Sequence, residues 1–474
     1  MKTIEELLES KGIIPERPPS LDEKGRRLDI HPAKVSGKFR SWRNTVYFFL
    51  LFVFLVIPWT RFAGEQTIHL DLAHRKFIFF GGSLFAHDAP LVFFLLGIVV
   101  FSLALATALY GRVWCGWACP QTVFIDTLYR KVEEWIEGNH IKRRKLARAP
   151  WSKDKLFKKI AKWGLFTIIS SHIVHSFMAY FVGARELLDI TLHNPAEHWG
   201  LFIAVQVMTL LTLLNFGWFR EQFCMIACPY GRFQSVLLDE RSKNVLYDYK
   251  RGEPRREKGK KEFADCIDCF KCVNVCPTGI DIRNGTQLEC IGCTACIDAC
   301  DEVMVKLDKP KGLIRYASEE EIGNEGKIKK TFNIRSLIYA GILSIFVLGL
   351  IISVSRRSNF SVKIIRAVEA PYQVSKVGDK EVVLNHFRLH VTNQSKSDLE
   401  ILSFELDKKN IDLVAPNLEQ VLTFRQDEWI HLFLKVPREE FKTEKFKVHW
   451  VLKYKVNDEV SQHLGELNLM GPAK

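Results

Sequence analysis

Between residues 266 and 300 one spacing of cysteines occurs twice: Cys266-x2-Cys269-x2-Cys272-x3-Cys276-Pro277, then Cys290-x2-Cys293-x2-Cys296-x3-Cys300 without the proline. No other feature leaves the chain so little freedom. Three thiols two residues apart wrap one small centre, and the fourth, set off by a longer gap, reaches away from it. That is the ligand pattern of two [4Fe–4S] clusters that exchange their fourth cysteines. Cys266, Cys269, Cys272 and Cys300 are expected to hold one cluster, and Cys290, Cys293, Cys296 and Cys276 the other. Zinc would call for isolated C-x2-C pairs parted by a longer insert.

All twelve cysteines fall between Cys115 and Cys300. Such clustering marks metal ligands, whereas disulfides spread along a chain. The remaining four repeat a second motif. Trp114-Cys115-Gly116-Trp117-Ala118-Cys119-Pro120 and Phe223-Cys224-Met225-Ile226-Ala227-Cys228-Pro229 each close a pair of apolar runs with C-x3-C-P. Residues four apart share a helix face, so each pair is expected to point together, with the proline opening the next segment. If the two hairpins pack as a pseudo-symmetric pair, Cys115, Cys119, Cys224 and Cys228 converge. Such a site suits copper, a redox dithiol pair or a third cluster. Nearby Arg112 and Arg220 are expected to lower the thiol pKa values. Four buried small side chains would be the plainer reading, but it leaves the two matched copies unexplained.

Apolar runs alternate with strongly charged stretches, so a hydrophobic content of 47% signals a membrane protein here. Five spans are expected, at about Thr45–Trp59, Pro90–Tyr110, Trp163–Val182, Trp199–Phe219 and Ile334–Val354. Residues 1–43 read as a polar, mobile segment with no cleavable signal peptide, so the first run stays as an anchor. The formal net charge of +13 is concentrated beside the spans. The segment after the second span holds Arg130, Lys131, Lys142, Arg143, Arg144, Lys145, Arg148 and five lysines from Lys153 to Lys162, against Arg185 alone between spans three and four. The positive-inside rule then puts the N-terminus and the cysteine-rich module in the cytoplasm and residues 360–474 outside. The flanks of the fifth span, Lys327, Lys329 and Lys330 before it and Arg356 and Arg357 after it, do not decide its direction. No basic face on a reading module points to nucleic acid. Gln121–Ile136 reads as an amphipathic surface helix whose Glu133 and Glu134 face solvent.

His172 and His175 share a face of the third span, with Met178 near it, and intramembrane histidines are functional candidates. A bis-histidine haem would need a partner on another span, and the other spans have no histidine. A copper relay, a quinone hydrogen bond and a histidine satisfied by a neighbouring helix stay open. Beyond the fifth span, Val382–Val391, Leu399–Leu406, Trp429–Val436 and Phe446–Val456 alternate apolar and polar residues, with turn residues such as Asn393–Ser397 between them. This reads as an antiparallel, Ig-like β-sandwich without a disulfide.

The fold class expected is thus a multi-domain membrane protein. A four-span bundle (44–240) precedes an inserted two-cluster bacterial-type ferredoxin module (241–330). A fifth span (334–354) and an Ig-like sandwich (360–474) follow. With paired C-x3-C-P hairpins, above all CGWACPQT and CPYGRFQS, and the eight-cysteine segment, the chain resembles the CcoG/FixG/RdxA family of bacterial cytochrome c oxidase accessory proteins. The resemblance implies an inner-membrane oxidoreductase that reduces Cu(II) to Cu(I) for assembly of a cbb3-type oxidase. Its partners would be oxidase-assembly and copper-delivery proteins, its tail would be periplasmic, and its electron donor is not implied. Copper would be handled at Cys115, Cys119, Cys224 and Cys228. Two alternatives are a quinol dehydrogenase-type subunit feeding a periplasmic reductase and a non-enzymatic assembly scaffold.

Overall fold

A computed structural model describes residues 29–62, 64–72, 76–84, 89–256, 264–323, 333–355, 360–368, 370–377, 380–393, 397–423, 426–441, 443–456 and 459–472. Most of the polar N-terminal segment, Lys327, Lys329, Lys330, Arg356, Arg357 and the middle of the Asn393–Ser397 turn lie outside the described residues. The chain divides into two compact units, Met1–Gly82 with Leu91–Leu350, and Ser83–Pro90 with Ile351–Lys474.

Five helices are long and apolar enough to cross a membrane: Lys38–Trp59, Pro90–Tyr110, Lys153–Val182, Pro195–Phe219 and Ile334–Ser355. At ~1.5 Å per residue each exceeds the ~30 Å of hydrocarbon it has to cross. The third begins ten residues before the apolar run. Ser152 caps it, its side chain accepting from the Lys155 amide at 3.2 Å, so the lysines from Lys153 to Lys162 ride on a helical extension of the span. Phe346 of the fifth span packs against Phe93, Phe94 and Phe101 of the second.

The ferredoxin module is α+β. Strand Asn244–Tyr247 pairs antiparallel with Ile314–Ala317, and helices Lys271–Asn274 and Ala295–Lys306 each carry cysteines of one repeat. It is locked to the first span. Asp298 caps that helix, accepting from the Phe39 amide at 3.2 Å and the Arg40 amide at 2.7 Å, and the Ala33 amide donates to Asn274 O at 2.8 Å. Residues 29–43 are therefore docked, not the free tether that their polar composition suggested.

The second unit is a sandwich of two antiparallel sheets. One orders Asp412–Val414, Asp427–Pro437, Lys380–Asn393 and Phe360–Arg366, with Gln373–Val377 also on Lys380–Asn393; the other orders Val421–Leu422, Leu399–Leu406, Lys445–Val456 and Glu459–Met470. Leu389, Val391, Leu432, Leu434, Val448 and Leu452 fill the core between them. Leu432 is fully buried. Leu432→Ala is expected to cost ~2–5 kcal/mol through lost contact and a residual cavity, read as a lower urea midpoint with an unchanged m-value.

Candidate functional site

The two cysteine repeats fold into matching loops. Asp268 and Phe270 flank Cys269 at φ 57° and 55°, and Gly292 and Thr294 flank Cys293 at φ 64° and 62°. Only the glycine takes this left-handed backbone freely; elsewhere it costs ~1–2 kcal/mol per residue. Its use at equivalent places gives the two loops one shape, of the kind that builds an amide nest for an anion. Cys266, Cys269, Cys272 and Cys300 line one cavity, together with Ile267 and Met304. Cys276, Cys290, Cys293 and Cys296 line a second, whose wall Cys272 also touches. Each group of four thus draws three thiols from one repeat and the last from the other. Burial pushes the Cys272, Cys290 and Cys300 thiols up to about 12. Thiolates in these cavities need cationic metal to offset burial, and soft sulfur donors around an amide nest fit an anionic iron–sulfur cluster. Cys269 is exposed.

The four remaining cysteines sit in two copies of one break. Helix Val113–Trp117 carries Cys115, and Cys119 is the extended residue before helix Pro120–Phe124. Cys224 lies in the π-helical turn Phe223–Ala227, and Cys228 is the extended residue before helix Pro229–Leu237. The expected continuous i, i+4 face is therefore not formed, because each proline ends the turn before it and opens the next. The four thiols nevertheless come within electrostatic reach of one another across the repeat: Cys119 acts on Cys115 and Cys224, and Cys228 acts on all three others. Among the described residues, no three His, Cys, Asp or Glu side chains gather closely enough to hold a single ion.

The expected lowering of the Cys115, Cys119 and Cys224 thiols does not occur. Burial dominates and pushes Cys115 up to about 11, with Cys119 adding to it; the Gln234 contact and Arg112 pull the other way and lose. Burial raises Cys119 and Cys224 as well. Arg220 is committed elsewhere, bonding both carboxylate oxygens of Glu133 at 2.6 and 3.1 Å. Cys115 Sγ donates to Gln234 Oε1 at 3.4 Å.

Helix Val113–Trp117 is pressed onto the second ferredoxin loop. Cys115 packs in one apolar cluster with Ile291, Cys293, Ala295 and Ala299. A Cβ on Gly116 would stand 2.7 Å from both Gly292 O and Ile291 O. Buried Arg43 donates to Cys293 O, and Tyr47 donates to Gly116 O at 2.5 Å. The first span thus clamps both partners of this contact. Gly116→Ala is expected to force backbone from backbone and cost ~1–3 kcal/mol, seen as earlier thermal bleaching of cluster absorbance.

Beneath the hairpins lies an ion network that the sequence did not reveal. Glu133 is 3% exposed and meets Arg220, Arg143 and Lys162; Glu137 meets Lys159 and Lys162. Glu133 is not a solvated side chain, whereas Glu134 is exposed and pairs with Lys34. Arg143, in the basic run expected at the headgroups, is buried too. Nothing in the residue pattern separates Glu133 from Glu134; only the arrival of Arg220 from another hairpin does. In the third span His172 is exposed, and His175 Nδ1 lies 2.7 Å from Ser171 O. Both line a groove with Trp59 and Leu188.

Residues 219–319 match a 4Fe-4S dicluster domain, 91–145 match a 4Fe-4S binding domain, and 350–468 match the IG-like fold at the C-terminus of FixG. The chain is 40% identical to protein RdxB of Cereibacter sphaeroides over 356 residues, covering 72% of this chain and 74% of that one. The chain belongs to the FixG/RdxA family. It is also 38% identical to protein RdxA of the same organism over 328 residues (66% of this chain, 69% of that one). Nitrogen fixation protein FixG of Rhizobium meliloti matches at 40% over 309 residues (62% and 58%). It is a membrane iron–sulfur electron-transfer protein. Both C-x3-C-P hairpins fall within the iron–sulfur domain matches, although residues 91–145 hold only Cys115 and Cys119.

Proposed function

We propose that this protein reduces Cu(II) to Cu(I) for assembly of a cbb3-type oxidase, with copper bound as substrate at Cys115, Cys119, Cys224 and Cys228. The observation that carries the reading is the packing of Cys115 and Gly116 against the Ile291–Cys293 loop. It sets Cys115 against Ile291 and Cys293, which line the second cysteine cavity. Cys266, Cys269, Cys272 and Cys300 would hold one [4Fe–4S] cluster, and Cys276, Cys290, Cys293 and Cys296 the other. When bound, such clusters supply one-electron storage and transfer.

Exposed Cys269 marks the side on which an electron donor reaches the module. Beside the second cavity the four thiols offer soft ligands, which favour Cu(I) over Cu(II) and so assist the reduction. Burial raises the Cys115, Cys119 and Cys224 thiols, so copper binding displaces their protons, and the four side chains close on the ion as it enters. Each Cu(II) takes one electron from the reduced protein and leaves as Cu(I) to a copper-delivery partner. The basic stretch Lys142–Lys162 supports a cytoplasmic N-terminus and ferredoxin module in the bacterial inner membrane, with a periplasmic Ig-like tail. The groove lined by His172, His175 and Trp59 favours a second reading, oxidation of a quinol at the third span.

Cys115→Ser and Cys228→Ser are expected to lower Cu(II) reduction by the dithionite-reduced protein, and Cu(I) binding, to a similar degree. Cluster absorbance should persist in both. Full copper reduction in a chain lacking all four cysteines would refute the site. Reduction of the clusters by a soluble quinol, abolished in His172→Ala with His175→Ala, would favour the second reading.

A further inference from the structure

At the foot of the first span, residues 32–44, the surface helix Arg130–Glu137 and the second ferredoxin repeat enclose a cavity of about 480 Å³. Its wall carries six cationic side chains, Lys34, Arg40, Arg43, Arg130, Lys131 and Arg143, against two carboxylates, Asp126 and Glu134. Lys34 pairs with Glu134, and Arg130 and Arg143 pair with Glu221 and Glu133 from outside the wall, but Arg40 and Arg43 share the single Asp126 and Glu133 also serves Arg220 and Lys162. Arg43 and Arg143 are each more than nine-tenths buried, and the Nε–H of each is buried without a hydrogen-bond partner. A buried guanidinium donor left unmatched is costly, so the cavity is short of acceptors as well as of negative charge. Ser36, Ser41 and Asn139 add neutral donors to the same wall.

We propose that this cavity is a binding site for a phosphate-bearing ligand. A phosphate supplies several charged acceptor oxygens at once, and the planar guanidinium matches it with paired N–H bonds. The volume suits a phosphate together with its ester group. Two sources offer this chemistry. Trp42 and Trp135, both largely exposed, neighbour the lining residues Ser41, Arg43 and Glu134 in sequence, and exposed tryptophans beside a span are the side chains that settle among lipid headgroups. An anionic phospholipid headgroup can enter from that side, and a free phosphate ester from solution. An occupant would tie the docked N-terminal strand to the loop on either side of Cys276, since Val275 and Pro277 also form the wall. None of this depends on copper.

The test uses the full-length, cluster-loaded protein in nanodiscs of zwitterionic lipid. One arm adds phosphatidylglycerol to the disc, and the other titrates inorganic phosphate at fixed ionic strength, with chloride as control. The readouts are the thermal midpoint of cluster bleaching and bound lipid by native mass spectrometry. A ligand that binds only the folded state raises that midpoint. Lys34→Gln with Lys131→Gln, both exposed positions, is expected to weaken binding about tenfold while leaving cluster absorbance intact. Lys131→Gln alone serves if the pair fails to fold, with a smaller weakening expected. A gain with phosphatidylglycerol only assigns a lipid headgroup, and a gain with inorganic phosphate assigns a soluble ester. A midpoint no higher than in chloride in both arms, or binding unchanged in the variants, overturns the site.

Discussion

Cys276→Ala is expected to halve the iron of the anaerobically prepared protein, from about eight to about four atoms per chain. Cys276 belongs to the first repeat in sequence, yet it lines the cavity of Cys290, Cys293 and Cys296. The cluster lost should therefore be the one those three hold, and the cluster of Cys266, Cys269, Cys272 and Cys300 should survive. Cys300→Ala should do the converse. Combining Cys276→Ala with Cys293→Ala should cost no more iron than either change alone, because both fall on one cavity. Combining it with Cys269→Ala should remove nearly all the iron. Iron and acid-labile sulfide analysis with EPR of the reduced protein reads these outcomes. Uncrossed ligation predicts the opposite pairing.

The second large effect is expected from Glu133→Ala. Three cationic side chains, Arg220, Arg143 and Lys162, meet at this carboxylate, and all three are largely buried. Removing it leaves buried positive charge unpaired, which costs ~3–5 kcal/mol. Glu133→Gln keeps the shape and part of the hydrogen bonding and should cost less. Arg220 stands four residues before Cys224, so the loss should also loosen the second C-x3-C-P hairpin. Burial alone would raise the Glu133 carboxyl, but Arg220, Lys162 and Arg143 outweigh it and hold it well below the ordinary range. A depressed carboxyl contributes stability that is fully present above its unfolded pKa, ~4.3, and is lost as pH falls through the folded value. Wild-type protein should thus lose stability steeply below about pH 4, and Glu133→Gln should flatten that slope. Thermal unfolding across an acid pH series measures both.

What could be read in advance follows from how local each signal is. Cysteine spacing fixes loop geometry within a dozen residues, so the eight ferredoxin cysteines were assigned to groups that the structure brings together. Apolar length marked all five membrane helices. Four long sandwich strands showed clean alternation, but Glu459–Met470 did not. It is an edge strand with one wet face, and Gly465 interrupts it where the Trp450 indole lies over the backbone. The break before Pro120 and Pro229 is legible in the prolines, which end the turn that an i, i+4 spacing of cysteines would otherwise continue. Glu133, Arg143 and the docked residues 29–43 were illegible for one reason. Arg220 reaches Glu133, Pro32 O reaches Arg143 and Asp298 reaches residues 39 and 40 from segments far along the chain, and no local pattern announces them.

In the proposed function, electrons held by the reduced protein pass to copper. Stopped-flow mixing of the fully reduced, dithionite-free chain with Cu(II), with Cu(I) trapped by a chromogenic chelator, tests it most directly. About two Cu(I) should form per chain, one for each reduced [4Fe–4S] cluster. Recovery of the oxidised visible absorbance should follow the same time course, and Cys115→Ser should slow both together. Cu(II) that leaves the protein reduced, or absorbance that recovers without trapped Cu(I), would contradict it.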